Sequence, residues 1–138
     1  MHDNGYKSEI LIMESIKQKL LDQPQASMDF PFGVDVMVFR VKTKIFAILS
    51  LGKALNGEQH YWLNLKCDPD EAVILRDIFD SIIPGYHMNK RHWNTIILDS
   101  SVPNGEIERL IENSYQLIVS GLSKKQQKLL LTNHQNIE

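Results

Sequence analysis

Residues 83–98 read IPGYHMNKRHWNTIIL and hold an unusually dense mixture of functional side chains. Two histidines, two asparagines, a lysine, an arginine and a tryptophan fall between Tyr86 and Thr95, and no acid occurs between Asp80 and Asp99. The apolar end of the stretch favours a strand, and the polar segment before it favours a turn. Such side chains can contact phosphate, stack on a base or bind a partner. The stretch therefore predicts a β-hairpin and the place of a functional site.

The composition is that of one ordinary globular domain. The chain has 138 residues, of which 43% are hydrophobic and 23% charged, values typical of a soluble domain. The net charge of -2 gives no overall sign of nucleic-acid binding, so any electrostatic attraction to nucleic acid has to be local. We expect a single domain over residues 1–138, with its core at about residues 8–125 and a polar C-terminal tail.

The chain shows no feature of a secreted or membrane protein. Cys67 is the only cysteine, which excludes an internal disulfide and fits a reducing compartment. The polar N-terminus lacks the apolar segment of a signal peptide, and no apolar run reaches the roughly 20 residues that span a bilayer. We expect a cytoplasmic protein without membrane association.

The first half of the chain alternates between helical and strand periodicity. A helix is predicted from Ser8, as its cap, to about Asp22, with Ile10, Met13, Ile16, Lys17 and Leu20 marking one face. Strands follow at about 34–39, 44–51 and 60–66, with a tight turn at residues 41–44. The next helix should run to about Ser81, with Asp68 as cap, Pro69 in first position and Glu71 completing a capping box.

The second half is predicted to be a hairpin followed by two helices. The hairpin pairs residues 86–88 with residues 93–99 and turns at residues 89–92. One helix should start at Asn104, as its cap, and end at Gly121; another should span Ser123 to about Leu131. Together these elements predict an α+β domain with helices packed on a largely antiparallel sheet.

Several of these segments resemble the MmcQ/YjbR family of small bacterial proteins. The matching segments are residues 31–33, 38–41, 44–47, 64–69, 84–95 and 114–115, and the resemblance extends from about Ser8 to Lys125. It implies a CyaY-like (frataxin-like) α+β fold and a "double wing" architecture proposed to bind DNA.

The main functional hypothesis is a DNA-binding protein, with a regulatory role as one option, that uses two basic β-hairpin wings. A two-stranded ribbon can enter the major groove. Arg40, Lys42, Lys44 and Lys53 lie on or beside the first hairpin. We predict phosphate contacts from Lys44, Lys66, Lys90 and Arg91, and polar contacts from His87, His92 and Asn94. The acids after Asp68 oppose this hypothesis unless they lie on another face.

The alternative is a module that binds a protein or a small ligand in a pocket near Lys66, His87 and His92. In both hypotheses, Tyr86 and Trp93 are interpreted mainly as structural residues, since aromatic rings beside strand residues usually pack.

Neither a metal site nor an active site is predicted. His87 and His92 have no carboxylate or thiol near them in sequence, so a metal would lack ligands. Ser114, Tyr115 and Cys67 have no base at a recognisable spacing. We therefore expect no cofactor and no enzymatic activity.

Overall fold

A single antiparallel sheet organises the protein. The computed structural model describes residues 2–53 and 57–137, with side chains described over residues 9–52 and 57–131. Within these residues the strands are β1 (Ser27–Asp29), β2 (Val36–Val41), β3 (Lys44–Lys53), β4 (Gln59–Lys66), β5 (Ile82–Pro84) and β6 (Trp93–Ile97). They lie in the order β1-β2-β3-β4-β6-β5, and every neighbouring pair is antiparallel.

The described helices are α1 (His2–Leu21), α2 (Pro69–Ile78), α3 (Asn104–Ser120) and α4 (Lys124–Ile137). This arrangement confirms the α+β class with a largely antiparallel sheet. Within the described helices, no segment is both long and apolar enough to cross a membrane.

The core forms where the alternating apolar residues of the strands meet α1 and α3. Leu49, Leu63 and Ile96 lie side by side in register across β3, β4 and β6 and are all buried. The ring of Tyr115 on α3 packs edge-on against Phe46, with 5.4 Å between the ring centroids. Because alternate residues of a strand share one face, this apolar row fixes which side of the sheet the helices cover.

Helix α2 starts as the sequence predicts, but its acidic first turn does not form the predicted capping box. The Asp68 carboxylate accepts hydrogen bonds from the backbone N–H groups of Asp70 and Glu71, at 3.0 and 3.3 Å. Pro69 occupies the first turn. Glu71 instead accepts a hydrogen bond from Nη2 of Arg109 on α3, at 2.7 Å. The capping carboxylate therefore fixes the start of α2, and Glu71 joins α2 to α3.

The end of α2 differs from the prediction. The helix stops at Ile78, and Phe79 already has extended backbone, so the helix does not reach Ser81. Ala72 and Leu75 are buried, whereas Ile78 is 63% exposed. Burial therefore follows one narrow stripe of the helix, and the rest of its apolar surface faces solvent.

The connection between β2 and β3 is the tight turn that the sequence predicts. Lys42 and Thr43 both have positive φ, at 48° and 70°, as a two-residue hairpin turn of the I′ type requires. The pairing register shifts between Phe39 and Arg40, which is a β-bulge just before the turn.

The second hairpin exists, but the prediction misplaced its first strand. Residues 82–84, rather than residues 86–88, pair with β6, and residues 85–92 form an eight-residue connection between the two strands. The backbone of His87 has a φ of 59°, which breaks the extended conformation that a strand needs. Tyr86 and Met88 are therefore loop residues.

Smaller differences concern helix ends and an edge strand. Helix α1 begins at His2, so Ser8 lies inside it rather than at its cap. Pro103 precedes α3 as its N-cap without a side-chain hydrogen bond, so Asn104 is not the cap, while Gly121 is the C-cap as predicted. Helix α4 continues past Leu131 to Ile137. The short strand β1 is absent from the prediction because three residues show no readable alternation.

Candidate nucleic-acid interface

The cations predicted to contact phosphate lie at one end of the sheet. The β2–β3 turn, the end of β4 and the loop of residues 85–92 all reach this end, because neighbouring strands are antiparallel. Lys66, the last residue of β4, pairs with Trp93, the first residue of β6. We call this end of the sheet the cationic end. Five residues define it, which are Lys42, Lys44, Lys66, Lys90 and Arg91.

The sheet order sets the distance between the two hairpins. The β2–β3 turn and the 85–92 loop are separated by three strand spacings, which amounts to about 14 Å at the usual spacing between strands. Lys66 ends the strand that lies between them. The cations are therefore spread across the width of the sheet at this end and are not concentrated at the tip of one hairpin.

Lys44 and Lys66 share one surface groove. The groove has a volume of about 190 Å³ and is lined by Lys44, Lys66, Leu117, Ile118, Gly121 and Leu122. Lys44 is exposed and Lys66 half-buried. The structure thus brings together two lysines that are 22 positions apart in the sequence, against the C-terminal end of α3.

A buried serine holds the two strands that carry these lysines. The Ser114 hydroxyl donates to the carbonyl of Phe46 at 2.6 Å and accepts from the backbone N–H of Lys66 at 2.9 Å. Ser114 has no exposed surface. Its role is to tie α3 to the ends of β3 and β4.

Hydrogen bonds within the 85–92 loop fix its shape. The carbonyl of Asn89 accepts from the backbone N–H groups of His92 and Trp93, at 3.2 and 2.9 Å, and its side-chain oxygen accepts from the backbone N–H of Arg91 at 3.0 Å. The ammonium of Lys90 donates to the Gly85 carbonyl at 3.0 Å. Lys90 therefore braces the loop although it is exposed, whereas the exposed Arg91 is held only through its backbone.

Gly85 allows this loop to close on β6. Its backbone N–H donates to the Trp93 carbonyl at 2.8 Å, and a Cβ at this position would lie 2.8 Å from the Trp93 Cβ. That separation is shorter than van der Waals contact, so the close approach requires glycine.

Asn94 faces the protein interior and not solvent. It is 4% exposed, accepts from Nη1 of Arg76 at 2.8 Å and donates to the Ala72 carbonyl at 3.3 Å. The structure therefore removes Asn94 from the set of outward polar contacts. Arg76 also reaches the Lys90 carbonyl at 3.5 Å. Sequence reasoning missed Arg76, although it is the only cation in an otherwise acidic helix.

The two histidines have different surroundings. His87 is exposed and its ring lies on Tyr86, with 4.0 Å between the centroids. Tyr86 in turn packs edge-on against Trp62 at 5.2 Å and remains 51% exposed. His92 is half-buried, and its carbonyl accepts from the Cys67 backbone N–H at 2.8 Å. In the part of the chain that the structure describes, no three histidine, cysteine or acidic side chains are grouped so as to hold a metal ion.

Two of the cations assigned to the first hairpin are not part of the cationic end. Arg40 is paired with Asp29 at 3.0 Å and donates to the Thr43 carbonyl. Residue 53 is the last residue of β3, so it lies on the first hairpin as predicted, but at the end of the strand opposite the turn. Lys42 and Lys44 remain as the cations of that turn.

The alternative hypothesis predicts a pocket near Lys66, His87 and His92, and Lys66 does line two depressions of the surface. Lys66 lines the groove shared with Lys44 and a second depression of about 10 Å³ that also involves Cys67 and Asn94. Neither depression is lined by His87 or His92. The smaller one is below the volume of a bound organic molecule.

The Cys67 thiol is unsuited to nucleophilic chemistry. It is 3% exposed, and burial, with smaller contributions from Glu71 and Asp68, raises its pKa to about 11. Since the thiolate is the reactive form, this cysteine is inert near neutral pH.

Comparison with known proteins finds relatives that are named as uncharacterised proteins. It is similar to the uncharacterised protein YbdF of Escherichia coli O157:H7, with 36% identity over 115 residues, which cover 83% of this chain and 90% of YbdF. It also matches the uncharacterised protein YyaQ of Bacillus subtilis, with 51% identity over 55 residues, 40% of this chain and 46% of YyaQ.

Solved structures have the same fold. The crystal structure of Deinococcus radiodurans DR2400, a DUF419 domain, superposes with a TM-score of 0.75 at 31% identity, covering 86% of each chain. A Pseudomonas syringae protein gives a TM-score of 0.69 at 30% identity, covering 75% of this chain and 96% of its own. The YjbR family model matches residues 21–117, in agreement with the resemblance carried by the Pro84–Thr95 segment. The chain belongs to the YjbR family.

Proposed function

We propose that this protein binds duplex DNA through the cationic end of its sheet. One observation carries the proposal, which is that five cations lie together at one end of the sheet. They come from the β2–β3 turn, the end of β4 and the 85–92 loop. Lysine and arginine supply most contacts to DNA phosphates. A chain with net charge -2 can attract DNA only where its charges are segregated in this way.

The spacing of the two hairpins suits a duplex. Their separation of about 14 Å is comparable with the major groove, which is about 12 Å wide. Across the width of the sheet, Lys44 and Arg91 lie on opposite sides of Lys66. They can therefore contact phosphates on both sides of a groove, with Lys66 at the middle of the groove. His87 and His92, in the same loop, supply further polar contacts.

Two of the three acids at the start of α2 are engaged within the protein. Asp68 caps α2, and Glu71 is paired with Arg109, which also binds Glu106 at 2.6 Å. These pairings reduce the negative potential that would otherwise oppose a phosphate backbone.

A salt titration with random-sequence duplex DNA tests the proposal. The logarithm of the affinity should fall linearly with the logarithm of the salt concentration. Replacing both Lys90 and Arg91 with alanine should lower the slope by about 1.8, since each phosphate contact contributes about 0.9. Arg91→Ala alone should leave the unfolding free energy unchanged, because its side chain does not brace the loop.

Two lysines on one strand provide a matched control. Lys44 and Lys53 occupy opposite ends of β3, and replacing either with alanine removes the same charge. Lys44→Ala should weaken binding several-fold, while Lys53→Ala should change it little. Equal effects of the two variants, or binding that does not respond to salt, would contradict the proposal.

The proposed function involves no catalytic step, and the proposed location of the protein is the cytoplasm. The buried Cys67 thiol and the structural Ser114 leave neither residue available as a nucleophile. Incubation with labelled duplex should accordingly return the DNA intact; cleavage that depends on the protein would contradict this part of the proposal.

A further inference from the structure

Helix α2 exposes an apolar face that the fold does not use. Val73, Ile74 and Ile78 are 50%, 56% and 63% exposed. They lie on the same side of the helix as Asp70 and Asp77, at helical spacing. A patch of branched apolar residues bordered by charges is typical of a surface that binds another protein.

Helix α4 exposes a face of the opposite charge. Leu129 and Leu131 are 43% and 66% exposed, and Lys124 and Lys125 are exposed in the first turn, which contains no acid. The buried Leu130 anchors the helix to the core. At about 100° per residue, Leu129 lies on the side of Lys125 and Leu131 on the side of Lys124, so the two leucines border the solvent-facing half of the helix and the lysines lie between them. No described part of the same chain covers this half.

Three of the charges on these two faces are placed against the preference of their own helices. A helix favours cations at its C-terminal end and anions at its N-terminal end. Asp77 nevertheless lies in the last turn of α2, and Lys124 and Lys125 lie in the first turn of α4. Since these positions do not serve helix stability, they point to a role at the surface.

We infer that the chain self-associates, with the α2 face of one copy packed against the α4 face of a second copy. Val73, Ile74 and Ile78 meet Leu129, and the acids of α2 pair with the lysines of α4. The match lies mainly in charge, since the α2 face is acidic and the α4 face is basic, and Leu129 covers part of the apolar surface of α2. A second copy supplies this complement at equal concentration, which makes it a better occupant than an unspecified partner.

Sedimentation velocity over a range of protein concentrations tests the inference. The wild-type chain should form dimers, or longer assemblies if the contacts do not close on themselves. Ile74→Asp places a charge at the centre of the apolar face and should weaken association by roughly 30-fold or more, the loss expected at the centre of an interface.

Reversing single charges separates recognition from folding. Asp77→Lys and Lys125→Glu each bring like charges together in a homodimer, so each variant alone should be monomeric. An equimolar mixture of the two should associate again, because the new lysine then faces the new glutamate. Both substitutions favour their own helix dipole, so loss of association cannot be ascribed to unfolding. Asp35→Lys, an exposed acid outside α2, is the matched control and should associate like the wild type.

Three outcomes would overturn the inference. One is a wild-type chain that stays monomeric up to roughly 1 mM, where even weak association is detectable. Another is a mixture of the two charge variants that remains monomeric while the wild type associates. A third is a monomeric wild type in which Lys125→Glu lowers DNA affinity, which would assign α4 to nucleic acid instead.

Discussion

The two connections that reach the cationic end are built by different means. The β2–β3 turn consists of Lys42 and Thr43 and depends on two residues with positive φ. The 85–92 loop is four times as long and is held by hydrogen bonds that Asn89 accepts and that the Lys90 ammonium and the Gly85 backbone N–H donate. One connection is fixed by local backbone conformation and the other by a network of hydrogen bonds from both backbone and side chains. A single substitution should therefore affect them very differently.

The largest effect is expected where the loop is joined to α2. Asn94→Ala removes a buried amide that binds both Arg76 and the Ala72 carbonyl, and should lower the free energy of unfolding by about 3 kcal/mol because buried polar groups lose their partners. Urea denaturation measures this loss. The control is Asn104→Ala, which changes an exposed asparagine without a side-chain cap bond and should alter the free energy of unfolding by less than about 0.5 kcal/mol. Similar losses in the two variants would show that the hydrogen bonds of Asn94 add no particular stability.

A smaller loss is expected at the glycine that lets the loop close. Gly85→Ala places a methyl group 2.8 Å from the Trp93 Cβ, and such overpacking typically costs about 1–3 kcal/mol. Thermal denaturation of this variant should be compared with that of Gly105→Ala, where a Cβ meets nothing within 4 Å. The second variant should match or exceed the wild type, since alanine favours helix. A stable Gly85→Ala protein would mean that the loop can move away from β6.

The turn should respond in the opposite direction. Thr43 is β-branched and has a φ of 70°, a conformation that costs such residues energy and costs glycine almost none. Thr43→Gly should therefore stabilise the protein by about 0.5–1 kcal/mol, or at least not destabilise it, as judged by the urea midpoint. A clear loss of stability would show that the Thr43 side chain, and not only its backbone, holds the turn.

The smallest effect concerns the opposite end of the sheet, where a titrating residue joins β4 to α1. His60 binds Glu9 at 2.8 Å and Glu58 at 3.1 Å. Burial lowers the pKa of His60, but the hydrogen bonds to Glu58 and Glu9 outweigh it, so the pKa lies above 6.5.

The direction of the pH dependence follows from this shift. A raised folded-state pKa stabilises the protein fully below the unfolded value of 6.5, and this stabilisation disappears as the pH rises through the folded value. The free energy of unfolding should therefore fall from about pH 6 to about pH 8, the range in which histidine titrates. His60→Gln should flatten that fall. An unchanged profile in the variant would assign the pH dependence to another group.

Much of the fold could be predicted from local patterns. The strands β3 and β4, the Asp68-Pro69 start of α2 and the Gly121 end of α3 lie where the sequence places them, and β2 lies two residues further along the chain than predicted. These signals succeed because they depend on residues only a few positions apart. The misplaced first strand of the second hairpin shows the limit. Nothing local distinguishes residues 86–88 from a strand, and only their position over Thr95 and Trp62 decides otherwise.

The candidate site could be predicted only in part, for the same reason. The sequence identifies four candidate phosphate contacts, and the sheet order places all of them at one end of the sheet. They are Lys44, Lys66, Lys90 and Arg91. The sequence does not reveal that the Asn94 side chain turns inward to Arg76, or that residue 53 lies at the other end of the sheet. Side-chain direction and strand order depend on contacts between residues far apart in the chain.

What the sequence by itself determined is the family, the α+β class and the types of residue that carry the proposed function. The Pro84–Thr95 segment is distinctive mainly because so many of its residues hold the fold: Gly85, Asn89, Asn94 and Thr95 each make a contact that few other side chains could replace. The tertiary structure alone decided which of its charges face outward and which lysines they join. Hydrogen bonding and close packing select residue types locally, whereas an electrostatic surface is the sum of charges that only the folded chain brings together.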